Sequence, residues 1–149
     1  MSVFVVDTNL LLYAVNPDAA EHRQARALLT AWREGEEPWF VTWGIIYEFL
    51  RVSTHPKVFP KPLSVRVARE WIATAIASAS AGILLETERH ADILADIIAD
   101  HPRLGGNVVH DVHIAALMKE SGISEIRTLD TDFHQFKFLD VVNPLRDAR

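Results

Sequence analysis

Four acidic side chains are the strongest candidates for chemistry in this sequence, and they are spread along its length: Asp7, Glu48, Asp111 and Asp130. Glu48 and Asp111 each have apolar neighbours at helical spacing, which predicts that both are partly buried. An ionised carboxylate that leaves water without a partner costs several kcal/mol even after relaxation. A basic partner, a raised pKa or a bound cation must therefore compensate for the charge.

Each of these acids also has an ordinary structural explanation. Asp7 could cap a short helix after the first strand, and Asp130 could be a turn residue beside Asp132, which could cap the next turn. Glu48 and Asp111 could pair with nearby basic side chains. The candidate partners are Arg51 and Lys57 for Glu48, and His110 and His113 for Asp111.

Taken together, the four acids favour a cation site. Carboxylates gathered in one pocket repel each other and cannot all ionise unless a cation is present. Ligation by oxygen alone suits Mg²⁺ or Mn²⁺, which are hard ions that keep several waters. The pair His110 and His113, three residues apart, is only a weak signal for zinc.

The elements that must position the acids alternate between strand and helix patterns. Short apolar runs predict strands over 3–6, 39–42, 83–85, 126–129 and 141–142. Apolar spacing predicts helices over 10–14, 20–34, 43–53, 64–80, 87–100 and 108–121, and one helical turn at 132–135. The predicted N-caps are Ser64, Thr87 and Asn107. We expect the aromatic residues to pack inward, although some could instead form a surface that binds a partner: Trp32, Trp43, Tyr47 and Trp71.

Strands separated by helices predict an α/β fold with a largely parallel sheet. In such sheets, functional residues gather at the carboxyl ends of the strands. Asp7 follows the first predicted strand and Asp130 follows the fourth. We therefore expect these two acids to lie at the same edge of the sheet.

The composition is that of an ordinary globular protein. A length of 149 residues suits one domain over 1–149, and 49% hydrophobic residues with 23% charged residues can form a core without cross-links. The sequence contains no cysteine, which excludes thiol catalysis, cysteine zinc sites and a disulfide scaffold. This composition fits a reducing cytoplasm.

The distribution of charge is more informative than the net charge of −5, which alone argues against nucleic-acid binding. Between Arg51 and Arg69 there are five basic residues and no acid. This segment could be a solvated surface, or it could steer a phosphate backbone toward a neighbouring site. The candidate RNA contacts within it are Arg51, Lys57 and Lys61, with the aromatic Phe59 nearby.

The apolar stretches suggest a protein without membrane segments. Charges interrupt every such stretch well short of a membrane span, and no basic segment precedes a long apolar run at residues 1–6. We therefore expect a soluble protein of the cytoplasm.

Four segments of the chain resemble PIN domains, and more narrowly the VapC-type toxins of VapBC toxin–antitoxin systems. The resemblance runs nearly end to end, and four short motifs in this order and spacing are specific. The segments are 6–14 (Val-Asp-Thr-Asn-Leu-Leu-Leu-Tyr-Ala), 47–52 (Tyr-Glu-Phe-Leu-Arg-Val), 110–117 (His-Asp-Val-His-Ile-Ala-Ala-Leu) and 128–133 (Thr-Leu-Asp-Thr-Asp-Phe).

This resemblance implies a three-layer α/β/α sandwich with a mostly parallel sheet and a metal-dependent endoribonuclease that cleaves tRNA or rRNA. It also implies inhibition by a cognate VapB-type antitoxin, and homodimers are usual in the family. The four acids carry over as the metal-binding residues. The resemblance implies that Thr8, Asn9 and Thr128 are polar groups that orient these acids, and that Asp132 either touches a second metal or caps a turn.

Two other functions are compatible with parts of the sequence. An aspartyl-phosphate phosphatase would also place an aspartate after the first strand, but it needs an acid two residues on, where this chain has Asn9. A non-catalytic interaction domain would use the acids only as caps and ion pairs. Binding of Mg²⁺ or Mn²⁺, measured by calorimetry, separates that domain from a nuclease.

Overall fold

The computed structural model describes residues 2–146, which form a parallel sheet flanked by helices. The strands are β1 (Phe4–Val6), β2 (Trp39–Thr42), β3 (Ala81–Leu84), β4 (Glu125–Arg127) and β5 (Asp140–Val142). The helices are α1 (Thr8–Val15), α2 (His22–Glu34), α3 (Trp43–Ser53), α4 (Val65–Ala75), α5 (His90–Asp100) and α6 (Val108–Ser121), with a 3₁₀ turn at Thr131–Gln135. Within residues 2–146, no helix has both the length and the apolar character needed to cross a bilayer.

The five strands are ordered β3-β2-β1-β4-β5, and every neighbouring pair is parallel. β1 is central, and its three residues Phe4, Val5 and Val6 are fully buried between the helical layers. Such continuous apolar runs are typical of strands that are covered on both faces. The predicted three-layer α/β/α sandwich is confirmed.

The strand order creates a switch point between β1 and β4. From β1 the chain moves outward through β2 to β3, and then crosses back to β4 on the other side of β1. Because parallel crossovers are right-handed, the two directions place their helices on opposite faces of the sheet. A crevice opens at the carboxyl ends of β1 and β4, where such sheets usually carry their functional groups.

Aromatic side chains fill much of the core. Trp32 packs edge-on against Phe4 with ring centroids 5.3 Å apart, and Trp71 stacks on Phe49 at 5.1 Å. The prediction of inward packing is therefore confirmed for these two tryptophans. It is wrong for two residues of α3, because Trp43 is 51% exposed and Tyr47 is 68% exposed.

Two predicted helix boundaries are wrong because tertiary hydrogen bonds replace local ones. The helix predicted over 64–80 begins after its Ser64 cap but ends at Ala75. The Ser80 hydroxyl donates to the carbonyl of Trp32 and accepts from the indole N–H of Trp39. These two bonds hold the segment before β3 in place, so residues 78–80 do not continue the helix.

The helix predicted from Thr87 begins instead at His90. The N–H and hydroxyl of Thr87 both donate to the carboxylate of Glu120 on α6, at 2.6 and 2.8 Å, so Thr87 joins two helices. Asn107 precedes α6 as predicted, but its side chain makes no capping hydrogen bond.

Candidate active site

Asp7 lies where β1 ends and α1 begins, and it has two structural tasks. Its Oδ1 accepts a hydrogen bond from the Thr8 backbone N–H at 2.8 Å, so Asp7 does cap α1. Its Oδ2 accepts from the Thr128 hydroxyl at 2.7 Å and from the Asn9 amide at 3.3 Å. Capping therefore explains one carboxylate oxygen, while the other is oriented by residues that lie beside the switch point.

Thr128 connects the two sides of the switch point. It follows β4, and its buried hydroxyl donates to Asp7 and accepts from the Asn9 amide and the Asp130 backbone N–H, both at 3.0 Å. The Asn9 side-chain oxygen in turn accepts from the N–H of Leu129 at 3.3 Å. These bonds join segments about 120 residues apart and fix Asp7 and Asp130 relative to each other.

Asp130 and Asp132 follow β4 and approach Asp111 of α6. One carboxylate oxygen from each of these three acids lies within 4.8 Å of the other two, so the group could hold a cation. Asp130 also caps the 3₁₀ turn through the N–H of Asp132 at 2.9 Å, so the turn is capped by Asp130 and not by Asp132.

We call Asp7, Glu48, Asp111, Asp130 and Asp132 the acidic group, although the set within 4.8 Å does not include Asp7 or Glu48. Burial and mutual repulsion determine the electrostatics of this acidic group. Burial raises the pKa of Asp7 from 3.8 to about 6, although hydrogen bonds from Thr128 and Thr8 oppose the shift. Burial also raises the pKa of Asp111 to about 7. The charges on the surrounding carboxylates add to this increase, in the order Asp130, Asp7, Asp132 and Glu48.

Glu48 approaches the four aspartates from α3, and its predicted pairing with Arg51 or Lys57 is wrong. Its nearest charged partner is His110 of α6, with Nε2 of the ring 3.4 Å from Oε2 of Glu48. This contact is an ion pair only when His110 is protonated, and Nε2 makes no hydrogen bond.

The predicted pairing of Asp111 with His110 or His113 is also wrong, because His113 binds Glu86. Within residues 2–146, no lysine or arginine forms a salt bridge with Asp7, Asp111, Asp130 or Asp132. These four aspartates therefore have no salt bridge to a lysine or arginine of the described residues that would neutralise them.

An open groove of about 770 Å³ runs beside Glu48 between α3 and the start of α6. It is lined by Gly44, Tyr47, Glu48, Arg51, Gly106, Asn107 and His110. Of the three predicted RNA contacts, only Arg51 lines this groove, whereas Lys57 and Lys61 are exposed on the following loop. Phe59 is buried and is not among the residues that line this groove.

Comparison with known proteins identifies the family. The family model described as the PIN domain matches residues 4–139. The chain belongs to the PIN-domain family. Within this family it is 36% identical over 133 residues to ribonuclease VapC37 of Mycobacterium tuberculosis, covering 89% of this chain and 91% of that protein. This PIN domain is therefore a ribonuclease, a hydrolase of the VapC toxin type, and the phosphatase alternative is not favoured.

Two solved structures share the fold of this chain. The crystal structure of M. tuberculosis VapC20, a toxin that cleaves the sarcin-ricin loop, has a TM-score of 0.63 at 19% identity and covers 90% of this chain and 94% of its own. The structure of VapBC2 from Rickettsia felis, bound to a DNA fragment from its promoter, also has a TM-score of 0.63, at 14% identity, with coverages of 94% and 97%.

Proposed function

We propose that the acidic group of this PIN domain binds Mg²⁺ or Mn²⁺ and hydrolyses phosphodiester bonds of structured RNA. One observation supports this most strongly. Asp7 and Asp111 are buried carboxylates whose pKa values are raised to about 6 and 7, with no basic partner among residues 2–146. A cation would provide the missing positive charge and favour their ionised forms.

The donor set fits such an ion. Every candidate ligand in the group is a carboxylate, and hard divalent cations prefer oxygen ligands. The neighbouring Thr8 hydroxyl is buried and has no hydrogen-bond partner in the protein. Because buried polar atoms are normally hydrogen-bonded, this hydroxyl is available to a ligand that binds beside Asp7. When bound, a divalent cation supplies Lewis-acid chemistry: it activates water and stabilises negative charge on a phosphate.

The position of each side chain determines its proposed role in binding the ion. Asp7 and Asp111 are the proposed principal ligands because they are the most buried acids of the group. Glu48 and Asp130 would complete the ligand set, partly through water, and Asp132 is close enough to join them. Asn9, Thr128 and the backbone N–H of Thr8 orient Asp7 and would not contact the ion themselves.

Substituting Thr128 tests this orienting role. Thr128→Val removes the hydroxyl that donates to Asp7 and accepts from the Asp130 N–H. Partners of this kind usually contribute roughly 10–100-fold to metal affinity or activity, and we expect a loss in that range. Metal titration and RNA cleavage assays measure it. Thr128→Ser keeps the hydroxyl and should retain most activity; equal loss in both variants would contradict the role.

The groove beside Glu48 is the proposed path of the RNA backbone. Arg51 lines it, while Lys57 and Lys61 extend positive charge along the adjoining loop. We expect Arg51→Gln to weaken RNA binding by roughly tenfold, or about 1.4 kcal/mol. It should also reduce the slope of log K against log salt by about 1, because one fewer phosphate is neutralised.

Binding of a metal-free, inactive variant to RNA over a salt series provides this measurement. Arg23→Gln, which removes an exposed arginine from α2, is the matched control and should leave both affinity and slope unchanged. An Arg51→Gln variant with the salt slope of the parent protein would remove Arg51 from the RNA path.

The proposed biological role is that of a cytoplasmic toxin held inactive by a VapB-type antitoxin. The solved VapBC2 assembly supports this partnership, and the uncompensated acids suit a basic antitoxin side chain that enters the site. A homodimer is proposed as well; the exposed Trp43 and Tyr47 could contribute to its interface or to an antitoxin groove.

Expression without the antitoxin tests the complete proposal. Sequencing the 5′ ends of cellular RNA should reveal a few discrete cleavage sites in tRNA or rRNA, together with arrested translation. The same sites should be absent when Asp7→Asn is expressed at an equal level. Identical 5′ ends in the two cultures would refute the assignment of the site.

A further inference from the structure

A second group of potential metal ligands lies outside the acidic site. Glu86 follows β3, His90 begins α5 and His113 lies in α6. These three side chains each offer one donor atom, and the three atoms lie within 4.8 Å of one another. His113 and Glu86 are already in contact, with Nε2 of the ring 2.8 Å from Oε1 of the carboxylate.

His90 is oriented as metal-binding histidines usually are. Its Nδ1 is hydrogen-bonded to the carboxylate of Glu120, a buried residue of α6. The same carboxylate accepts two bonds from Thr87 and is therefore held in place. A carboxylate on one ring nitrogen fixes the imidazole and leaves the other nitrogen, Nε2, as the basic ligand atom.

The two ring nitrogens of His113 face different neighbours. A Cβ atom added at Gly44 would lie 3.6 Å from Nδ1 of His113, so this nitrogen faces α3 while Nε2 faces Glu86. The group is open to solvent on its other side: the side chains of His90, His113 and Glu86 are 23%, 39% and 50% exposed. An ion could enter, and it would take the place of the direct contact between Nε2 of His113 and Oε1 of Glu86.

We propose that Glu86, His90 and His113 form a binding site for one Zn²⁺ ion, with water as a fourth ligand. Two imidazole nitrogens and one carboxylate are a common zinc ligand set, and nitrogen ligands favour Zn²⁺, Co²⁺ and Ni²⁺ over Mg²⁺. This selectivity differs from that of the all-carboxylate group. The zinc site does not depend on the proposed RNA cleavage, since it shares no side chain with the acidic group.

Zinc at this position would join three elements that otherwise meet through hydrogen bonds. It would link the end of β3 to the first turn of α5 and to α6, the helix that carries Asp111. We therefore expect Zn²⁺ to raise the thermal unfolding midpoint, since a ligand that binds only the folded state stabilises it.

The test uses the full chain without a histidine tag, in the wild-type form and in an Asp7→Asn/Asp111→Asn double variant. Zn²⁺ affinity is measured by competition with a chromogenic chelator, and Co²⁺ is used as a probe of coordination by its visible absorption. Glu86→Gln and His113→Gln remove ligands, and His22→Gln removes a histidine elsewhere. Circular dichroism checks that each variant is folded.

The wild type, the double variant and His22→Gln should each bind the first equivalent of Zn²⁺ with the same affinity, and the first equivalent of Co²⁺ should give the same spectrum in all three. Loss of an outer partner alone costs roughly 10–100-fold in affinity, so Glu86→Gln and His113→Gln should each weaken binding by at least about tenfold. Unchanged Zn²⁺ affinity in these two variants would overturn the proposal. Loss of Zn²⁺ binding in the double variant would also overturn it, because the ion would then occupy the acidic group.

Discussion

Asp111→Asn lowers RNA cleavage by about 100-fold or more while the protein remains folded, and Asp7→Asn does the same. Each substitution keeps the size of the side chain but removes a negative charge from the proposed cation site. The loss of one group that stabilises charge in a transition state commonly costs about 10²–10³ in rate. Initial rates on a defined RNA with saturating Mg²⁺ or Mn²⁺ measure the effect, with circular dichroism as the check on folding.

The control for these two variants is Asp96→Asn, which removes the same charge from an exposed position on α5. It should cleave RNA at the wild-type rate. If either Asp7→Asn or Asp111→Asn retained full activity, that residue would have no place in the proposed ligand set. If Asp96→Asn were equally impaired, the effect would be a general one of net charge.

Without a divalent metal, the contribution of Asp111 to the stability of the folded protein decreases as the pH rises from about 4 to about 7. In the unfolded chain, Asp111 ionises near its ordinary pKa of 3.8, whereas in the folded protein burial and neighbouring charges raise its pKa to about 7. Between these values the folded state binds more protons, so a rise in pH favours unfolding. The contribution of protonated Asp111 to the free energy of unfolding is fully present below about pH 4 and is lost above about pH 7.

Asp111→Asn should therefore be more stable than the wild type at about pH 8 in a metal chelator. One pKa unit corresponds to about 1.4 kcal/mol of stability. Because the neighbouring acids titrate together with Asp111, we expect Asp111→Asn to gain only about 2 kcal/mol in the free energy of unfolding. Urea unfolding of both proteins at about pH 4 and about pH 8 measures it. Comparing the two proteins isolates Asp111, because Glu86 and Glu120, whose pKa values are lowered, are present in both.

Divalent metal should reverse this order. Mg²⁺ or Mn²⁺ binds the folded wild-type protein and stabilises it, while Asp111→Asn loses most of that stabilisation. A wild type that is as stable as Asp111→Asn at about pH 8 without metal would mean that the acidic group is not under electrostatic strain. The argument for a cation as its missing partner would then lose its main support.

The fold and the convergence of the acids could be predicted because short-range patterns determine them. The run of Phe4, Val5 and Val6 and the later helical periodicities predict a parallel α/β sheet, and the topology then brings Asp7 and Asp130 to one edge. The predicted strand over 126–129 contained Thr128, whereas β4 ends at Arg127. The role of Thr128 beside the acids was implied only by the family resemblance.

Other features depend on contacts that no local pattern encodes. The start of α5 at His90 follows from the bonds between Thr87 and Glu120, which are 33 residues apart. Glu48 faces His110 and not Arg51 because α3 and α6 meet beside the groove. The exposure of Trp43 and Tyr47 was missed because aromatic residues on a helix usually pack inward.

The pairing of β1 with β4 also determines when the enzyme can work during its own synthesis. The hydroxyl that orients Asp7 belongs to a residue 121 positions later in the chain, and Asp130 comes later still. A nascent chain that has emerged only as far as α6 carries Asp7, Glu48 and Asp111, but it has neither the strand nor the threonine that assembles them. Nearly the whole domain must therefore leave the ribosome before Asp7 and Asp130 can take up the positions that the proposed site requires.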